Sequence, residues 1–233
     1  MEMRSNPRIL LVGGGLSSAF TFKFLSVSLQ RYSPTFELWE RSHTLGGRAL
    51  SIETSTTQNW DMGLQYFSRT VEDSRNSVLS AVYHEYIDQG ILKPLSVHGE
   101  GLHTSHSSGD HFMCPLGTSS IIYNALQTPI MKLADQSLKG NGASGPFIRL
   151  QTTLKELTFD EKLQEWEAVG IDQCGGRVGG YFDHVVLAIP PRALNQLQLP
   201  KLLTDHFQAQ SYDTYVSLSD FLHRVSSVQF SKR

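Results

Sequence analysis

Three small groups of residues in this sequence have types and spacings that can do chemistry. Gly13, Gly15 and Ser18 form a G-x-G-x-x-S pattern immediately after the apolar run Ile9-Leu10-Leu11-Val12. A glycine at the first position permits a tight turn, and one at the second lets the backbone approach a pyrophosphate. The start of a helix beyond them offers unpaired N–H groups and a favourable dipole to an anion. Ser18 stands where a third glycine usually allows close helix–strand packing, and it is small enough for that place. Glu40 closes the second apolar run, somewhat beyond the spacing of about 20 residues common for an acid that binds ribose hydroxyls. A carboxylate there accepts from both hydroxyls and repels a 2′-phosphate. Gly46-Gly47-Arg48 can then return backbone and a permanent cation towards the same diphosphate.

These groups need a frame that brings them together. A continuous apolar run stopped by glycines is the pattern of a strand buried on both faces of a parallel sheet. Residues 16–31 carry Ala19, Phe20, Phe24 and Leu25 near helical spacing, and Thr35 to Glu40 reads as a second strand. Strand, glycine turn, helix and strand make a βαβ unit.

Further along, residues 44–70 read as loops and short strands. Val78, Leu79, Val82, Tyr83, Tyr86 and Ile87 lie on one face of a helix expected within 71–92. The run 96–115 flanks "HSSGD", a hairpin signal. Thr118 with its following serines is expected to cap a helix carrying Ile121, Ile122, Ala125 and Leu126, which Pro129 ends or bends. "KGNGASG", 139–145, reads as a surface loop. Three strand-like runs follow, 147–154, 163–171 and 182–189, with turn residues around Asp160 and 175–180.

Composition narrows the function classes. The chain has 233 residues, 39% of them hydrophobic, and 20 basic against 22 acidic side chains give a formal charge of −2. That balance offers no electrostatic grip on nucleic acid or anionic lipid. No apolar stretch reaches membrane-spanning length, and none at the N-terminus resembles a signal-peptide core, so the expected location is cytoplasmic, with export without a cleaved signal left open. Cys114 and Cys174 are expected as free thiols. His103, His106, His111 and Cys114 invite a metal reading, but a turn separates them and no ligand spacing is met, so no metal is expected. Ser17 and Ser18 lack the G-x-S-x-G setting of a hydrolase nucleophile.

The stretch Glu40, Arg41, Gly46, Gly47, Arg48 resembles the E-R-x-x-x-x-G-G-R motif of the flavoproteins with two dinucleotide-binding domains. "DMGLQYFS", 61–68, and "PLGTSSII", 115–122, resemble the D-x-G-x-Q-Y and P-x-G-x-S-S-I-I elements of the renalase family of flavin amine-oxidase-like proteins. "TLKEL", 153–157, resembles that family's adenine-contacting strand, "DHVVLAIPP", 183–191, a strand that follows it, and "SYDTYVSLSDF", from Ser211, the next one. The resemblance runs from about residue 8 to 222. It implies FAD as cofactor, with Gly13, Gly15, Ser17 and Ser18 at the diphosphate, Glu40 at the ribose and Arg41, Gly47 and Arg48 in the same clamp. It further implies that Leu154 lies on the adenine side, and that Gln65 and Tyr66 approach the flavin without supplying a charge.

The fold class expected is α/β, an FAD-binding Rossmann-type βαβ domain with an incomplete mixed α+β substrate domain. The expected segments are 1–72 and 116–195 for the FAD domain, 73–115 for a substrate-domain helix and hairpin, and 196–233 for the start of a second substrate segment and a divergent tail. The resemblance implies an oxidase of reduced nicotinamide dinucleotide isomers, with oxygen as acceptor and hydrogen peroxide as product, and no catalytic side chain. Amine oxidation is the alternative substrate class. Family members continue beyond the end of this chain, so a C-terminally truncated form, non-catalytic and acting through protein contacts, is the competing expectation.

Overall fold

The structure, a computed structural model, describes residues 5–54, 59–95, 110–138, 147–194 and 196–198. In chain order it begins with β1 (Arg8–Val12), α1 (Leu16–Ser28) and β2 (Thr35–Trp39), then β3 (Ser51–Glu53), β4 (Asn59–Asp61) and β5 (Phe67–Arg69). Two helices, α2 (Val71–Arg75) and α3 (Ser77–Asp88), precede β6 (Lys93–Pro94), β7 (Asp110–Met113) and the long α4 (Ser119–Leu138). The last elements are β8 (Phe147–Arg149), β9 (Thr153–Asp160), β10 (Glu165–Ile171), β11 (Arg177–Phe182), β12 (His184–Leu187) and α5 (Pro191–Leu194). The expected turn at "HSSGD" and the expected loop "KGNGASG" lie outside the described residues.

Packing separates the described residues into two compact units: those up to Gly47 together with those from Ile122 to 198, and Arg48–Ile121. In the first, β1 pairs in parallel with β2 and β12, and β2 with β8, giving the order β12-β1-β2-β8. The expected βαβ unit is therefore present, and the mixed α/β fold with a parallel Rossmann-like sheet holds. All four residues Ile9 to Val12 are buried, as a strand covered on both faces requires. Alternation divides them. Leu10, Val12 and Trp39 join Leu154, Leu157, Ala168 and Phe182 in a core against the antiparallel meander β9-β10-β11. On the opposite face Phe36 meets Phe22 of α1 edge-on, with ring centroids 4.8 Å apart.

In the second unit, β3 and β4 form a two-stranded ribbon, and β5, β7 and β6 a small antiparallel sheet. β7 falls within the run 96–115 expected as a hairpin, but its partner β6 precedes that run, and residues 96–109 lie outside the described ones.

Several elements differ from expectation for local reasons. The helix expected within 71–92 is two helices. Thr70 closes a capping box with Asp73, and Asn76, extended at φ −78°, ψ 109°, ends α2 and caps α3 through its side-chain oxygen. Pro129 lies inside α4 and does not end it. The run 147–154 is split between two sheets at Gln151, whose φ is +52°. The glycine-rich 175–180 is mostly strand, because Gly179 and Gly180 let β11 lie close: a Cβ on Gly179 would stand 3.2 Å from the carbonyl oxygen of Ala168.

Candidate functional site

Gly13 sits at φ +105°, and a Cβ there would come within 2.5 Å of the Ala188 carbonyl oxygen at the end of β12. Its N–H continues the sheet by donating to Trp39 O at 2.8 Å. Gly13 is thus demanded by the fold itself. Gly15 is different. It is extended, at φ −95° and ψ −174°, as the N-cap of α1, and a Cβ on it would meet nothing within 4 Å. The helix that begins there has no side-chain cap and no acid in its first turn. Its leading N–H groups therefore lack a side-chain acceptor, which is the state that favours an anion. Ser17 is exposed on that turn, whereas Ser18 is fully buried, its hydroxyl without a partner among the described residues. Small size and close packing, the place of a third glycine, describe Ser18 well.

The second glycine group folds onto the first. Gly46 N–H donates to Gly14 O at 2.8 Å, and Gly15 and Gly46 form a parallel bridge. Gly47, at φ +56°, would bring a Cβ 3.4 Å from the Gly15 Cα. Glu40 is 8% exposed, and both of its oxygens face backbone: Oε2 accepts from Gly14 N at 2.5 Å and Oε1 from Ser42 N at 2.8 Å. The structure therefore brings Gly13, Gly15, Ser17, Ser18, Glu40 and Gly47 into one place. Gly14 and Gly46 belong there too; the signal for Gly14 was its position inside the glycine triplet, where a Cβ would strike Leu45 at 2.5 Å.

Other expected site residues are placed separately. Arg41 is exposed beside Glu40. The side chain of Leu154 is buried in the core between sheet and meander, where it packs. Arg48 opens the second unit in a 3₁₀ turn, Gly47–Ala49, with its side chain exposed. Its carbonyl accepts from Leu64 N at 2.9 Å and leaves room only for glycine at position 63. Gln65 is exposed, and Tyr66 is half-buried with its ring edge-on to His111 at 5.7 Å. His111 also shares a hydrogen bond of 2.9 Å with Ser68 Oγ, while His103 and His106 lie outside the described residues. Cys114 and Cys174 are free thiols, the first buried and the second exposed.

The second unit holds a polar network that local pattern did not show. Asp61 Oδ1 accepts from Thr118 N at 2.8 Å, from Thr118 Oγ1 at 3.0 Å and from Ser51 Oγ at 2.6 Å. Ser51 Oγ in turn accepts from Ser119 N at 2.9 Å. Asp61 and Ser51, not Thr118, therefore satisfy the start of α4. The hydroxyl of Thr118 faces inward, with a second bond to Ala49 O at 3.2 Å. Cys114 lies nearby with its thiol pushed up to about 12, mainly by burial and further by the Asp61 carboxylate, against a smaller opposite effect of a Ser120 hydrogen bond.

A parallel sheet whose first strand, glycine turn and uncapped helix face a second glycine loop is a Rossmann-like arrangement. Residues 11–86 match the family of NAD(P)-binding Rossmann-like domains. The structure is similar to that of a protein from Exiguobacterium sp. 255-15 provisionally described as a protoporphyrinogen oxidase, with TM-score 0.53 and 12% identity over 84% of this chain. At that identity the likeness is one of fold. This chain covers 62% of the length of that protein. No curated protein matches the chain by sequence. Among the described residues, no helix is long and apolar enough to cross a membrane.

Proposed function

We propose that the chain forms the dinucleotide-binding part of an FAD-dependent oxidase of renalase type. The observation that carries the reading is the open space above Gly15 at the uncapped start of α1, bordered by a second glycine loop that is hydrogen-bonded to the first. These residues fit a dinucleotide diphosphate. Backbone at Gly13 and Gly15, the Ser17 hydroxyl and the first N–H groups of α1 would hold its oxygens, and Gly47 keeps the facing loop within reach. Arg48, next in the chain, would supply the compensating cation. Leu154 contributes by packing the strand on the adenine side. Gln65 and Tyr66 are assigned to the flavin ring on the strength of the sequence resemblance.

FAD, when bound, supplies a two-electron acceptor that oxygen can reoxidise. The proposed donor is a reduced nicotinamide dinucleotide isomer. It loses a hydride, and those two electrons with one further proton convert oxygen to hydrogen peroxide. The task left to the protein's own residues is positioning, since a hydride donor of this kind needs no side-chain base. Fold likeness to a proposed protoporphyrinogen oxidase agrees with a flavin-type oxidoreductase but does not choose the substrate. A cytoplasmic location and a small-molecule substrate, without nucleic acid or membrane, belong to the same proposal.

The test is anaerobic mixing of the flavin-loaded chain with reduced dinucleotides and, in parallel, with amines. Bleaching of the visible flavin band by a dinucleotide, and peroxide on admission of air, is the expected result. Bleaching by amines alone would move the substrate class. A loaded chain that neither class bleaches would establish the non-catalytic reading.

A further inference from the structure

The loop between β2 and the second glycine pair is anchored at its start, its middle and its end. Near the start Ser42 O accepts from Gln151 N at 2.9 Å, and at the end Gly46 N donates to Gly14 O at 2.8 Å. Between them Thr44 is held by a residue from outside the βαβ unit: its Oγ1 lies 3.2 Å from the phenolic oxygen of Tyr123 on α4. The direction of that bond follows from counting protons. A hydroxyl has one to give, and the Thr44 hydroxyl gives its own to the Leu45 carbonyl at 3.2 Å, a group that can only accept. Tyr123 O–H is therefore the donor, and the relay runs from Tyr123 through Thr44 to Leu45 O. Leu45 is 6% exposed and its side chain lies against Gly14, where a Cβ would meet it at 2.5 Å. Tyr123, by contrast, is 48% exposed, so its hydroxyl supports the loop and little of the core.

We infer that Tyr123 is a positioning residue: by donating to Thr44 it sets how closely the second glycine loop lies against the first, and thereby the affinity for a dinucleotide diphosphate. The tie itself rests on the described geometry; its effect on binding rests on the proposed dinucleotide function. Gly46 and Gly47 follow Thr44 closely in the chain, and a Cβ on Gly47 would stand 3.4 Å from the Gly15 Cα, so a shift at Thr44 is passed to the backbone that faces the first glycine turn. A threonine freed from Tyr123 keeps its bond to Leu45 O but loses the one that joins the loop to α4. Loss of a single hydrogen bond of this kind changes a local equilibrium by about threefold to tenfold.

The experiment uses Tyr123→Phe in the full chain, first without ligand. Amide hydrogen exchange at Gly46 is expected to speed up about threefold to tenfold, while Gly13 and the amides of β1 keep their protection. Thr44→Val removes the acceptor, so adding Tyr123→Phe to it should change nothing further, whereas Thr44→Ser, which keeps the hydroxyl, should leave Gly46 as in the parent chain. Unchanged exchange at Gly46 in Tyr123→Phe would overturn the tie whatever the chain binds. An effect of Tyr123→Phe that persists at full size beside Thr44→Val would overturn it too, as would faster exchange throughout β1, the mark of a merely structural role. The second arm measures FAD affinity. It should fall by about threefold to tenfold in Tyr123→Phe and stay as in the parent chain in Thr44→Ser. Faster exchange at Gly46 with unchanged FAD affinity would overturn the effect on binding. If the parent chain binds no FAD, the dinucleotide function fails and the effect on binding with it, while the exchange arm still decides the tie. Should Tyr123→Phe not fold, Thr44→Val, with Thr44→Ser as its control, takes its place in both arms.

Discussion

Asp61 accepts the backbone N–H of Thr118 at 2.8 Å, so a carboxylate at the end of a short ribbon satisfies the start of a helix 57 positions further along the chain. Two sequence motifs that look independent, one around Asp61 and the other around Thr118, are two halves of one joint. Asp61→Ala removes the acceptor of three hydrogen bonds and should destabilise the protein by about 2–3 kcal/mol. Thr118→Val, which keeps the N–H bond and loses only the hydroxyl, should cost about 1 kcal/mol. Urea denaturation of both variants measures this; equal losses would contradict the division of roles.

Gly13 and Gly15 should separate under substitution. Gly13→Ala forces a side chain into a positive-φ position against the Ala188 carbonyl and should cost about 3 kcal/mol or more. Gly15→Ala meets open space in ordinary extended backbone, so thermal stability should stay within a few tenths of a kcal/mol. On the proposed function, dinucleotide binding should nevertheless fall at least about tenfold, because the methyl group would occupy the open space assigned to the diphosphate. A Gly15→Ala chain that binds normally would place the ligand elsewhere.

Arg48 has an exposed side chain and, among the described residues, no ion-pair partner. Arg48→Ala should leave the denaturation midpoint unchanged while lowering affinity for FAD, and the loss should shrink as salt is raised. Affinity that does not respond to the substitution would remove Arg48 from the clamp.

Alkaline conditions should weaken the fold in a defined window. Burial raises the Cys114 thiol from 9.0 to about 12, with Asp61 adding to the rise, and raises the Tyr83 phenol from 10.0 to about 12, with Asp73 adding and Arg69 opposing. Below pH 9 the folded and unfolded chains both keep these protons. Between pH 9 and about 12 the unfolded chain has released them and the folded chain has not, so stability falls as pH rises. Cys114→Ala should flatten part of that fall, read from denaturation midpoints across the range. A thiol reagent at neutral pH should label exposed Cys174 rapidly and Cys114 only after unfolding.

The βαβ unit was legible because its signals are local: four apolar residues, a glycine stop, a helical repeat and a second strand follow one another directly. The core role of Leu154 was not, since it depends on Trp39 and Phe182, far away in sequence. Asn76 could be read through as part of one helix, as apolar spacing says nothing about a capping side chain. Gly179 and Gly180 read as a turn because the reason for glycine there, the closeness of Ala168 and of Arg8, exists only once the sheet is formed. Glu40 stood out at its strand end by type and place, but the two N–H groups that claim its oxygens appear only when the loops are folded.

The most direct test of the dinucleotide site is the visible absorption of the purified chain after loading with FAD and desalting, run beside Gly15→Ala. The account predicts that the parent chain retains a protein-bound flavin spectrum and that the variant, equally stable, elutes without it. A parent chain that elutes colourless, or a variant that holds flavin as well as the parent, would contradict it.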